Sequence, residues 1–74
     1  MDNEYRQACQ LMIAKGDVKT GKHAHRAITD GRPHRRQIEF NIAAQEFVRL
    51  EGTTQEERAL VARFIRNIED VRSA

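Results

Sequence analysis

Cys9 is the only cysteine in the chain, so no internal disulfide can staple it. At 74 residues a globule buries only about 60% of the surface its unfolded chain exposes. Without a staple, the apolar residues themselves must organise the core. They make up 39% of the chain against 32% charged residues, enough for a compact helical domain and more than a disordered chain carries. The length fits a single domain spanning 1–74. A lone thiol suits a reducing compartment. The opening residues Met1, Asp2, Asn3 and Glu4 lack the positive start and apolar run of a secretory signal. No stretch approaches the ~18 apolar residues of a membrane span. The expectation is a soluble protein of the cytoplasm with no membrane partner.

Apolar periodicity then predicts a mainly α fold, a small bundle of three to four helices. Tyr5, Ala8, Cys9 and Met12 recur at helical spacing, flanked by Leu11, which predicts a helix over 3–15. Asp2 or Asn3 would cap it, and Gly16 would end it as a C′ residue at positive φ. Asp17 or Thr20 would cap a second, weakly apolar helix that turns Ala24, Ala27 and Ile28 inward and stops at Asp30-Gly31. Arg32-Pro33 then marks a turn. Over 34–50, Phe40, Ala43, Ala44, Phe47 and Val48 follow helical spacing, with Gly52 as the stop. Alternation of Ile38, Phe40 and Ile42 with polar neighbours leaves a short extended segment at 37–41 as the alternative, pairing with a second copy in a dimer. Thr54-Gln-Glu-Glu57 is a capping box. Val61, Phe64, Ile65, Ile68 and Val71 carry its helix on to about 72, a length of about 27 Å.

Catalytic and metal-ligating constellations are weak. His23 and His25 are two residues apart and would point about 200° apart on a helix, so they cannot share an ion. They read, with His34, as solvent-facing members of a basic patch. Cys9 lies on an apolar stripe and reads as a buried core thiol rather than a nucleophile. Glu56-Glu57 fits a helix's first turn, and Glu69-Asp70 fits a solvated face on which Arg66 reaches Asp70. No glycine-rich phosphate loop is present. Nothing assembles nucleophile, base and oxyanion donors, so a non-enzymatic protein without cofactor or metal is expected.

Charge is uneven although the net is only +2. Residues 15–36 hold seven Lys and Arg against two carboxylates, a net of +5, between slightly acidic flanks. Lys15, Lys19, Lys22, His25, Arg26, Arg32, Arg35 and Arg36 are the candidate partner-binding residues. With few apolar anchors, the segment is little needed for packing. Its charge suits nucleic acid through counterion release, or an acidic protein surface through steering and complementarity. A solvated basic face of a structural or assembly protein is the plain alternative. Helices over 20–29 and 33–50 joined by Asp30-Gly31-Arg32 resemble a helix-turn-helix loosely, with His34, Arg35 and Arg36 opening the second helix. The turn lacks the apolar residues that normally lock such a pair.

The run Ala8-Cys-Gln-Leu-Met-Ile-Ala-Lys-Gly16, followed by Asp17-Val-Lys-Thr-Gly-Lys-His-Ala-His-Arg26, in a short, disulfide-free, locally basic chain, resembles the small phage-encoded transcription regulators that bind host RNA polymerase. The resemblance implies docking on polymerase subunits in the host cytoplasm, with effects on initiation and antitermination. No functional residue is carried over from it. Protein docking on RNA polymerase is therefore the leading expectation, with exposed residues of the first helix or of 32–42 as apolar anchors. A small dimeric DNA-binding repressor is the alternative.

Overall fold

In the computed structural model, which describes residues 3–67, four helices follow one another: α1 (Asn3–Lys15), α2 (Val18–Thr29), α3 (Pro33–Phe47) and α4 (Gln55–Ala62). No strand occurs among the described residues. The 37–41 segment is helical throughout, so the extended alternative does not apply. No helix here is long and apolar enough to cross a membrane, among the described residues.

α1 forms over the expected span and buries Ala8, Cys9 and Met12. The expected cap Asp2 lies outside the described residues, and Asn3 is already helical. Gly16 ends the helix by donating its N–H to the Met12 carbonyl at 2.9 Å, but not through positive φ, which among the described residues only Gly52 adopts (φ 88°). Glycine is needed at 16 for space: a Cβ there would press on the Met12 carbonyl and lie 2.7 Å from Thr20 Cγ2. The absent side chain lets α2 begin directly against the end of α1.

Asp17 caps α2, its carboxylate accepting from the Thr20 N–H at 2.8 Å. Thr20 is thus inside the helix and fully buried rather than a cap. α2 was expected to add little to packing. It lies instead between α1 and α3, and its pairing with α3 is the most extensive in the fold. Thr20, Ala24 and Ala27 are its buried residues. They are small, so the helix contributes through close approach rather than bulk.

α3 starts with Pro33 in its first turn, where the missing N–H is no loss. It gives up its regular ladder at Phe47, and the chain turns through 48–52 to Gly52. Phe40 and Phe47 are fully buried. Phe40 belongs to an aromatic trio with Tyr5 and Phe64, centroids 5.0 to 6.3 Å apart. The Tyr5 hydroxyl donates to the Ala27 carbonyl at 3.0 Å, so one side chain ties α1 to α2, to α3 and to the residues after α4.

α4 opens on the expected capping box, Thr54 and Glu57 each bonded to the other's backbone N–H. It then ends at Ala62 instead of running to 72. Residues 63–64 turn and 65–67 are not helical. Polar side chains of α3 hold the departing backbone. Asn41 donates to the Arg66 carbonyl at 2.7 Å and accepts from the Arg66 N–H at 3.2 Å. Gln37 donates to the Phe64 carbonyl at 3.0 Å. Ile68 and Val71 of the predicted stripe, and the Glu69-Asp70 pair with the Arg66–Asp70 contact, lie outside the described residues.

Candidate partner-binding surface

Helical geometry sorts the eight candidate residues onto different faces. With Thr20, Ala24 and Ala27 inward, the outward ridge of α2 is Val18, Lys22, His25 and Thr29, one residue per turn, and all four are exposed. Lys19 and Arg26 lie on the flank beside α3. Lys15 ends α1. Arg32, Arg35 and Arg36 lie at or just before the start of α3. Lys19, Lys22 and Arg26, three and four residues apart, are neighbours along α2, and Arg26 and Arg35 meet at Glu39, whereas Lys15 stands apart at Glu57.

Five of them already face carboxylates of the same chain. Lys15 reaches Glu57 at 2.8 Å, Lys19 reaches Glu46 at 3.7 Å, and Arg32 reaches Asp30 at 2.9 Å. Arg26 and Arg35 both approach Glu39, at 3.9 and 3.6 Å. Asp30 also accepts from the Arg32 backbone N–H at 2.9 Å. Bonding to the Arg32 guanidinium, then to that N–H, holds its carboxyl down to about 2. Lys15, followed by the Thr54 N–H, likewise holds the Glu57 carboxyl below its ordinary value. Lys22 and His25 make no ion pair with a described carboxylate, and Arg36 is half-buried near Tyr5 and Cys9.

Glu39 is the residue that sequence reasoning missed. Its side chain is 4% exposed, and its Oε2 lies 2.5 Å from His23 Nδ1, with Arg26 and Arg35 on the other oxygen. His23 is accordingly drawn in toward α3 rather than facing solvent, while His25 is exposed. Two signals were available: Arg35 stands four residues before Glu39, and Glu39 shares a helical face with Ala43 and Phe47. A buried carboxylate is expensive unless paired and hydrogen-bonded, and here three groups from two helices supply the pairing. Among the described residues no three His, Cys, Asp or Glu side chains converge as a metal site requires.

The helix, three-residue turn, helix layout of α2 and α3 is present. α3, however, packs on the other three helices and buries Glu39, Phe40, Ala43, Ala44 and Phe47, more residues than any other helix, so it is not a projecting element. The cations at its start are turned to Asp30 and Glu39 or lie half-buried. Cys9 is fully buried, and desolvation pushes its thiol up to about 11. Among the described residues, the two large hydrophobic side chains that stay in solvent are Val18, 89% exposed, and Ile13, 39% exposed.

No protein-family model, curated protein or solved structure matches the chain.

Proposed function

We propose that the chain is a non-enzymatic regulator that acts by docking on a protein, with RNA polymerase as the partner and initiation or termination of transcription as the affected step. The polymerase rests on the resemblance of residues 8–26 to small phage-encoded regulators. Docking by protein contact is supported by one observation above the rest: five of the eight candidate cations are turned onto carboxylates of their own chain. A duplex reader needs its cations free for phosphates and its reading helix exposed in the groove. Here Glu39 and Glu46 stand among those cations, and the second helix of the pair buries more residues than any other helix. Val18 exposed beside Lys22 and His25 suits a protein surface, which offers apolar and charged groups together.

The α2–turn–α3 layout favours the second reading, a small DNA-binding repressor acting as a dimer. Fluorescence anisotropy of the labelled protein with purified RNA polymerase, and separately with duplex DNA, across a salt series distinguishes the two. The expected result is saturable polymerase binding that persists after nuclease treatment, with no tight DNA binding. Neutralising about five phosphates would give a log K versus log salt slope near about −4.5. That slope on DNA, with no polymerase binding, overturns the docking reading.

A further inference from the structure

We propose that the outer edge where α1 meets α2 is the docking surface, and that its occupant is an acidic amphipathic segment of a protein partner, an apolar anchor flanked by carboxylates. The inference rests on the protein-docking reading and adds the surface and the chemistry of the partner. Among the described residues, Val18, in the first turn of α2, and Ile13, near the end of α1, are the two large hydrophobics that the fold leaves in solvent. Gly21 lies at the seam between their helices, where a Cβ would stand 3.8 Å from the Ile13 Cα. The two backbones therefore run close, and no side chain at 21 fills the seam between them.

Cations frame this apolar pair. Lys22 and His25 stand four and seven residues after Val18, on its face of α2. Arg6 stands seven residues before Ile13, on its face of α1. All three are exposed, and none pairs with a described carboxylate. Next to Lys22, on the flank of α2 that faces α3, Lys19 and Arg26 are paired with Glu46 and Glu39. Uncompensated positive charge therefore coincides with the exposed apolar side chains and thins out where carboxylates begin. A phosphate backbone would satisfy the cations and leave Val18 and Ile13 in water. A carboxylate-flanked apolar anchor satisfies both, by apolar burial and charge complementarity.

The test is a two-dimensional NMR titration of the ¹⁵N-labelled full chain with three probes. These are a synthetic amphipathic peptide with leucines on one helical face and glutamates on the other, the same peptide with lysines in place of glutamates, and a short DNA duplex. The acidic peptide is expected to move the amide signals of Ile13, Val18, Gly21, Lys22 and His25 to saturation. Val18→Asp and Lys22→Glu should each weaken this by about tenfold, with circular dichroism unchanged because both residues are exposed. Lys19→Glu, on the paired flank, should weaken it less. No shift with the acidic peptide, shifts centred on Glu39 and Glu46, or equal shifts from the duplex or the lysine peptide overturn the proposal. Failure of the polymerase reading is separate. A protein that ignores polymerase but takes the acidic peptide at this edge supports the surface and overturns the named partner. One that binds polymerase equally well as Val18→Asp overturns the surface and leaves the partner standing.

Discussion

His23 and Glu39 meet across the α2–α3 seam with Nδ1 2.5 Å from Oε2, and the carboxylate side is nearly sealed from water. Two arginines 3.6 and 3.9 Å away share the other oxygen. Truncating the carboxylate strands three partners at once, whereas truncating the imidazole leaves the carboxylate two. Glu39→Ala should therefore destabilise the fold by about 2–3 kcal/mol, toward the low end for a broken buried pair because both arginines reach solvent. His23→Ala should lose about 1–2 kcal/mol. Urea unfolding at constant m-value measures both. A His23→Ala loss that equals or exceeds the Glu39→Ala loss would show that the carboxylate is not the hub.

Three glycines differ in what an added methyl group meets, and their alanine variants should differ accordingly. Gly16→Ala drives Cβ into the Met12 carbonyl and the Thr20 side chain, so it should lose about 1–3 kcal/mol or more by overpacking. Gly52→Ala meets open space but holds φ at 88°, and should lose about 1 kcal/mol. Gly31→Ala meets nothing within 4 Å at an ordinary φ, and should be neutral or gain up to about 1 kcal/mol through the unfolded state. Thermal melts followed by circular dichroism rank the three. Gly16→Ala ranking anywhere but last contradicts the packing described for the α1–α2 junction.

Much of this fold was legible in the sequence, because local signals and the core agree in it. The Tyr5-Ala8-Cys9-Met12 stripe, Asp17 before α2, Pro33 opening α3 and the Thr54–Glu57 box each stand where the chain places an element. What was not legible depends on contacts between elements. The stripe Val61-Phe64-Ile65 reads as helix, yet the backbone leaves it where Asn41 and Gln37, far away in sequence, take up its polar groups. Glu39 shares a helical face with core residues Ala43 and Phe47, but its partners His23 and Arg26 come from another helix, and no local spacing shows them. The basic middle was legible as charge but not as a surface, since pairing to Glu39, Glu46, Glu57 and Asp30 sets which cations remain uncompensated.

The Asn41 amide meets both backbone groups of Arg66. Asn41→Ala should remove both bonds, and with them a partner of the Gln37 amide, 2.8 Å away. Residues 64–66 should then open locally at a cost of about 1–2 kcal/mol. Hydrogen exchange followed by NMR reads this directly. The Arg66 amide should exchange about tenfold faster, while amides in the middle of α1 and α3 keep their protection. Unchanged exchange at Arg66 would show that the side chain does not hold this segment.

Burial alone gives the protein an alkaline limit. Desolvation raises the Cys9 thiol to about 11, and the Tyr5 hydroxyl, also desolvated, is raised as well. The folded state thus keeps a proton that the unfolded thiol gives up near its ordinary value of 9.0. Between these values the unfolded state binds fewer protons, so stability falls as pH rises. The thiol's contribution is whole below about pH 9 and is lost as pH climbs through about 11. Melting temperature should hold level to about pH 9 and then decline. In Cys9→Ala the decline should begin only where Tyr5 starts to titrate in the unfolded chain, above about pH 10. At pH 8 the folded thiol should alkylate with iodoacetamide at least about tenfold more slowly than in urea, since its raised value lowers the thiolate fraction and burial blocks access. Rapid alkylation of the folded protein would contradict the burial of Cys9 in the α1 core stripe.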